Sequence, residues 1–380
     1  DNTSCYGSFQ VSSDNFSTCV QMSSSPSISN SAKTFTVDPS NNLSYAKEYK
    51  IKLTTGTKDT NGVFLESPYE TSFNTLGVFI AAAGKIKTSL DGVNWYQFGG
   101  CGVRYGVAYG NGIAVAVGLG SCFDSTSNLT ISPEVAGTHW NTSKTNPGYG
   151  WSDRKDFTDV TYGNNLFVAV GESGVIYNSS DGITWEKVGS GTTQYLQGVT
   201  YGNSTFVAVG EQGTIRTSSD AIAWTSRDVS VSVGFKDITY GNQQFIAVGS
   251  YSGSSYFYKS SDGITWTYTS SAVETKTCCN NTVSNLDSTG ISYSEGRFLL
   301  TANTGTLKTS TDGSSWSSLN TGEVSVGSNA NVQQFEKAIS NNGTIVVVGA
   351  SRNIVSTDNG STWAEVSWTG YHGRDVIFAE

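Results

Sequence analysis

"SSDGITW" spans Ser179–Trp185 and recurs letter for letter at Ser260–Trp266. The same phrase returns with small changes as "SLDGVNW" at Ser89, "SSDAIAW" at Ser218, "STDGSSW" at Ser310 and "STDNGSTW" at Ser356, and in decayed form as "SPEVAGTHW" at Ser132. The tryptophans that close these phrases, Trp95, Trp140, Trp185, Trp224, Trp266, Trp316 and Trp363, lie 45, 45, 39, 42, 50 and 47 residues apart. Such spacings are within or close to the period of four-stranded propeller blades.

One unit, "DVTYGNNLFVAVGESGVIYNSSDGITWEKV" from Asp159, shows the internal order. A short strand ends in Gly-Asn and a valine-rich strand follows. A glycine-bounded turn leads to a third strand, and the Ser-x-Asp-Gly turn reverses into a fourth that starts at Trp. Seven such meanders stacked radially bury both faces of each sheet and leave only short edges. The expected fold is all-β, a seven-bladed β-propeller with four-stranded antiparallel blades over residues 76–380. The first unit lacks its first strand, whereas the C-terminal "GRDVIFAE" matches "FTDVTYG" and "FKDITYG". Asp375 to Ala379 is therefore expected to complete the blade begun at Leu76 and close the ring.

Composition agrees with many short strands. Of 380 residues 43 are Gly, 12% are aromatic and 14% charged. The net charge of −9 and the absence of a basic run argue against a nucleic-acid partner, whose phosphates draw their affinity from clustered Lys and Arg. No apolar stretch approaches the roughly 18 residues of a membrane span. Six cysteines, one Met and little Lys fit an exported protein, and residue 1 is an Asp with no apolar leader after it. A monomer is expected.

The repeated phrase resembles the Asp-box, or bacterial neuraminidase repeat, SxDxGxTW, matched at Ser356, Asp358, Gly360, Thr362 and Trp363. The other copies look like a shortened variant with Asp and Gly adjacent. This resemblance covers about four fifths of the chain and implies a propeller. It leaves function open, since its families include sialidases, xyloglucan hydrolases, sortilin-type receptors and photosystem assembly factors. The turn itself reads as architecture. Asp91, Asp181, Asp220, Asp262, Asp312 and Asp358 are expected to accept the turn's own N–H groups, with the Trp ring filling space at the blade edge. In the related families this turn lies on the face opposite the ligand site.

Residues 1–75 resemble a bacterial Ig-like domain through Tyr49, Ile51, Leu53, Asp59, Gly62, Leu65, Phe73 and Thr75. Such modules are spacers on exported proteins, and the short first strands suggest that the sequence begins inside the domain. Cys5 and Cys19 are expected to bridge, a loop closure contributing about 3 kcal/mol on the entropic model. Cys101 and Cys122 fall on one face of the propeller and are a possible pair. Cys278 and Cys279 are adjacent, and either a vicinal bridge or separate partners fit the sequence.

Chemistry is harder to find. The two histidines, His139 and His372, sit in different units, so no zinc site and no other metal or cofactor is expected. The sialidase resemblance predicts an "RIP" arginine, two further carboxylate-clamping arginines and a Tyr-Glu pair. No "RIP" occurs and no motif selects three of the seven arginines. A glycosidase needs only two carboxylates roughly 5–10 Å apart. Glu172, Glu211, Asp159, Asp237 and Asp375 are candidates on the face formed by inter-blade connections. Asp159, Asp237 and Asp375 share one repeat position, however, which favours one structural hydrogen bond made three times. Glu172 and Glu211 share another, in "GESG" and "GEQG".

Whatever breaks the repeat is more informative. The insertions are Leu119–Pro147, Tyr251–Ser255 and Ser270–Ser288, and of nine tryptophans only Trp151 and Trp368 fall outside the turns. With Tyr149, Tyr371, His372 and Arg374 they form a candidate ligand site for a sugar or a partner protein. The sequence thus favours an exported, non-catalytic bacterial surface or periplasmic binding protein with a protein or glycan ligand. The alternatives are an Asp-box glycoside hydrolase with two rim carboxylates and an assembly or scaffold factor. A paired, partly buried carboxylate set with raised pKa at the central mouth would favour the enzyme, and a rim without it would favour binding.

Overall fold

A computed structural model describes residues 5–25, 27–29, 34–40, 43, 48–59, 61–74, 77–98, 103–119, 122–126, 141–144, 155–252, 254–269, 276–278, 281–283, 287–303, 305–321, 334–350, 352–366, 368 and 373–379. The chain divides into two compact units, Asp1–Val78 with Ala379–Glu380, and Phe79–Phe378. In the first, strands Phe9–Ser12, Glu48–Leu53 and Tyr69–Asn74 form an antiparallel sheet, and Ser27–Ser29 pairs with Thr34–Thr36. Cys5 and Cys19 are disulfide-bonded, with their Cα atoms 5.0 Å apart. Where "KDTNG" turns, Asp59 Oδ1 accepts from the Asn61 and Val63 amides, both at 2.8 Å.

The second unit is built from antiparallel sheets of four strands, seven among the described residues. Numbered in chain order, blade 1 contains Val78–Ala82, Ile86–Ser89 and Tyr96–Phe98, and the inner strands of blades 2 to 7 are Arg104–Gly110, Phe157–Gly163, Leu196–Gly202, Gly234–Gly241, Ser288–Ser294 and Phe335–Asn341. The C-terminal strand Asp375–Ala379 lies beside Val78–Ala82 and supplies blade 1 with its inner strand. Phe79, Ala81 and Val376 of that blade pack on Val346, Val348 and Val355 of blade 7, which closes the ring. The second strands read "FVAVG" or a close variant because both faces are buried, so alternation is lost and a continuous apolar run remains.

Close approach of neighbouring inner strands depends on glycine. A Cβ on Gly110, Gly163, Gly202 or Gly241 would lie 2.0–2.1 Å from the ring of Tyr162, Tyr201, Tyr240 or Tyr293 in the next blade. Each of those rings is held against a phenylalanine of its own blade, with centroids 4.6–4.7 Å apart. Between blades 6 and 7 the pair is replaced by Ser294 and Ser340, whose hydroxyls are 2.9 Å apart.

The Ser-x-Asp turns follow one scheme. In the Ser179–Trp185 copy, Asp181 Oδ1 accepts from the Ile183 and Thr184 amides at 2.8 and 2.7 Å and from the Ser179 hydroxyl at 3.0 Å. The Gly182 amide donates back to Ser179 Oγ, and the Trp185 indole N–H donates to the Gly182 carbonyl. Gly182 needs its left-handed backbone (φ 68°). Ala221 takes the same conformation (φ 60°) in the copy that lost the glycine, and there the Trp224 indole N–H has no partner among the described residues. The decayed copy with Trp140 and His139 lies outside the described residues, but Asn141–Lys144 still pairs with Cys122–Thr126 as a fourth strand. Tyr251 to Ser254 extends a hairpin of blade 5, and a separate hairpin pairs Lys276–Cys278 with Asn281–Val283. Cys101 and Cys279 lie outside the described residues, as do the side chains of Cys122 and Cys278.

Replacing Gly202 by Ala forces a methyl group into the Tyr240 ring and is expected to cost about 2–3 kcal/mol in urea unfolding. At Gly112, where a Cβ meets nothing within 4 Å, Ala is expected to cost only the backbone strain, roughly 1 kcal/mol. Deleting residues 375–380 removes the inner strand of blade 1 and is expected to abolish cooperative thermal unfolding followed by circular dichroism. An unchanged melting temperature would contradict that placement.

Candidate functional site

The start of each inner strand faces the propeller axis at the end opposite the Ser-x-Asp turns. Those turns lie beside the connections that leave the inner strands at their far ends, as the bonds from Asn203 to the Ser261 carbonyl and from Asn242 to the Thr311 carbonyl show. One repeat position forms a ring at the axial end. In blade order it is Asp375, Gly106, Asp159, Gly198, Asp237, Gly290 and Lys337.

Each aspartate ties two blades together. Asp159 accepts from its neighbour Val160 and from Val199 of blade 4, both at 2.8 Å. Asp237 accepts from Ile238 at 2.8 Å and from Ile291 of blade 6 at 2.7 Å, and Asp375 from Val376 and from Val107 of blade 2, both at 2.8 Å. In every case the amide reached across the joint follows a glycine. The glycines also admit the next strand, since a Cβ on Gly106 or Gly198 would lie 2.7 or 3.1 Å from the Cα of Asp159 or Asp237. Lys337 occupies the seventh position, and its Nζ lies 2.5 Å from Asp237 Oδ2.

Above this ring opens a cavity of about 320 Å³. Its wall comes from the residue preceding each ring position: Arg374, Tyr105, Thr158, Gln197, Lys236, Thr289 and Glu336, joined by Tyr195. Some of these also serve the blade joints. The Thr158 and Thr289 hydroxyls donate to the Leu196 and Phe335 carbonyls of the following blades. Arg374 reaches Glu336 at 2.9 Å, and its guanidinium carbon is 5.9 Å from the centre of the Tyr105 ring. The side chains of Tyr105, Tyr195, Gln197 and Lys236 make no hydrogen bond to the described residues, and all border the cavity.

The electrostatics follow from burial. Asp159 is pushed well above the usual carboxylate range by burial and by Asp375, against the pull of Lys337, and Asp375 is raised by burial against the same lysine. Burial alone would lower Lys337, but Asp237, Asp375 and Asp159 outweigh it and raise its pKa. Glu336 is raised by burial despite Arg374. Burial and the nearby Glu172, Asp156, Tyr105 and Glu211 raise the Tyr195 phenol to about 12. Raised carboxylates at the mouth are the feature expected of a hydrolase, but each of the three aspartates accepts a backbone amide on both oxygens, one from the next residue of its own strand and one from the next blade. Glu172 and Glu211 head one-turn 3-10 segments, Glu172–Gly174 and Glu211–Gly213, and their carbonyls accept from Val175 and Thr214. Among the described residues no cluster of three or more carboxylate, His or Cys groups is spaced to hold a metal, and no helix is long and apolar enough to cross a membrane.

Of the aromatic and basic ligand candidates, Arg374 borders the cavity. Trp368 is wedged at the joint of blades 7 and 1, its ring 5.0 Å from that of Trp95 and packed with Phe79, Val346 and Val376. Tyr149, Trp151, Tyr371 and His372 lie outside the described residues. Sequence reasoning passed over Lys337, Tyr105, Tyr195, Gln197, Lys236 and Glu336. A signal existed: aligning "RYGV", "FTDV", "LQGV", "FKDI", "STGI", "FEKA" and "GRDV" shows the Asp/Gly alternation, with a residue before it that varies between units and repeats only as Thr158 and Thr289.

Residues 3–75 match the bacterial Ig-like domain family. No curated protein matches the chain. Among solved structures it is similar to YCF48 bound to D1 peptide, with TM-score 0.52, 14% identity and coverage of 75% of this chain and 93% of that one. YCF48 from Cyanidioschyzon merolae gives TM-score 0.52 and 14% identity over 74% of this chain and 97% of that one. A quinoprotein alcohol dehydrogenase-like protein from Bacteroides thetaiotaomicron gives TM-score 0.52 and 11% identity over 92% and 88%. At these identities the likeness is one of fold, and the fold is the propeller. The Ig-like domain and a disulfide are consistent with an exported protein.

The two carboxylate populations pull stability in opposite directions with pH. Amide donors hold Asp220, Asp262 and Asp312 below the usual range, outweigh slight burial at Asp91 and Asp181, and join the Thr362 hydroxyl in lowering Asp358 to about 2. Their contribution is complete above the unfolded pKa near ~4 and is lost as pH falls through the folded values. Asp159, Asp375 and Glu336, with raised values, stabilise most below the unfolded pKa and lose that contribution as pH rises through their folded values. The melting temperature is therefore expected to peak at mildly acidic pH. Asp159→Asn is expected to flatten the decline toward neutrality, as thermal melts across a pH series will show.

Proposed function

We propose that this protein is an exported bacterial binding protein, at the cell surface or in the periplasm, whose propeller mouth grips a segment of a partner polypeptide. The observation that carries this reading is the contrast between the ring and the wall above it. The ring carboxylates each accept a backbone amide across a blade joint, whereas Tyr105, Tyr195, Gln197 and Lys236 present two half-buried aromatic rings, an amide and an ammonium to a cavity without serving any described hydrogen bond. Aromatic anchors with polar tips around a concavity suit peptide recognition. The similarity to YCF48, solved with a D1 peptide, supports such use of this fold by analogy.

Raised pKa values at Asp159 and Asp375 support a second reading, glycoside hydrolysis at the same mouth. The whole chain, presented in parallel to a random linear-peptide display library and to a glycan array, is expected to select peptides. Tyr105→Ala combined with Tyr195→Ala should weaken them at least tenfold without lowering the melting temperature. Selection of glycans alone, or peptide binding indifferent to the double variant, would overturn the proposal. Turnover of chromogenic glycosides that disappears in Asp159→Asn would establish the hydrolase instead.

A further inference from the structure

Four carboxylates, Asp159, Asp237, Glu336 and Asp375, and three cations, Lys236, Lys337 and Arg374, border the cavity. Two of the cations are committed: Lys337 to Asp237 at 2.5 Å and Arg374 to Glu336 at 2.9 Å. Asp159 makes no ion pair with a described residue. Each of its oxygens accepts one backbone amide, and a carboxylate oxygen can accept a second hydrogen bond. Asp237 and Asp375 are only 5% and 7% exposed, whereas Asp159 retains partial exposure to the cavity. Half-buried Tyr105 and Tyr195 stand in the wall above it, faces against which an alkyl stem or a guanidinium packs favourably.

We infer that the cavity seats a lysine or arginine side chain of the bound segment, its cationic tip on Asp159 and its stem against Tyr105 and Tyr195. This rests on the peptide-binding reading of the same mouth and adds the chemistry of the residue gripped. The entering cation takes the place that Lys337 fills for Asp237. Lys236, exposed at the rim, stands in high-dielectric solvent and is screened, whereas attraction to the less exposed Asp159 is screened less.

The interaction is linked to protons. The groups facing Asp159 in the ring are Asp375, Lys337 and Asp237, and burial with repulsion from Asp375 favours its protonated form. The rim adds Glu336, Arg374, Lys236 and the two tyrosines. A cation gains little from a protonated carboxyl, so affinity rises as pH rises through the Asp159 titration.

The test uses the whole 15N-labelled chain and three capped tripeptides, glycine on each side of a central Lys, Gln or Glu, followed at the Val160 and Val199 amides that donate to Asp159. The Lys peptide is expected to bind at least tenfold tighter than the Gln and Glu peptides above the Asp159 titration and to tighten as pH is raised through it. Asp159→Asn is expected to erase the preference for Lys over Gln, and the wild-type pH series carries the test if that variant fails to fold. Equal binding of Lys and Gln, preference for Glu through Lys236 and Arg374, or no response to any of the three overturns this inference. The wider peptide-binding reading then still stands if display-selected peptides are lost on Tyr105→Ala with Tyr195→Ala, and falls with it if they are not.

Discussion

At the axis of this propeller a carboxylate on one inner strand hydrogen-bonds to a backbone amide on the next, and the glycine before that amide leaves room for the strand of the blade beyond. Aspartate and glycine therefore alternate: Asp375, Gly106, Asp159, Gly198, Asp237, Gly290. Seven is odd, so the alternation cannot close on itself. Lys337 fills the remaining place, and its ammonium sits among the three carboxylates with Asp237 as direct partner. One lysine against three aspartates leaves the ring short of positive charge, which burial converts into a tendency to hold protons.

The two ends of the blades divide their labour along the same strands. At one end the Ser-x-Asp turn closes on itself, with aspartate, serine, glycine and tryptophan each using a partner within the turn. Nothing is left over for a ligand, and the phrase is free to repeat because every blade needs the same bonds. At the other end the strand starts are held by the ring, and the residue before each ring position is released from the repeat. Where the joint still claims it, as at Thr158 and Thr289, it is a small hydroxyl residue bonded to the next blade. Where the joint does not, it is a tyrosine, a glutamine or a lysine facing the cavity.

This division explains why aromatic residues outside the repeat were an incomplete guide. Trp368 breaks the pattern, yet it fills the joint where the last blade meets the first, against Trp95 of a turn some 270 residues earlier. It stands in the connection that carries the chain from blade 7 into the C-terminal inner strand of blade 1. Tyr105 and Tyr195 are inconspicuous in a chain with 19 tyrosines and matter only because curvature of the ring brings them to one opening.

The sequence by itself determined whatever is local or periodic. The turn chemistry, the tryptophan spacing, the buried valine runs and the spare C-terminal strand each depend on neighbours within one blade or on a repeat visible by alignment, and they specify a closed all-β ring. The shared position of Asp159, Asp237 and Asp375 already pointed to one repeated hydrogen bond. Only the tertiary structure decided which amides those carboxylates reach, that Lys337 meets Asp237 a hundred residues away, and which side chains share the mouth. Such contacts cross between blades through the centre of the ring, where distance along the chain carries no information about distance in space.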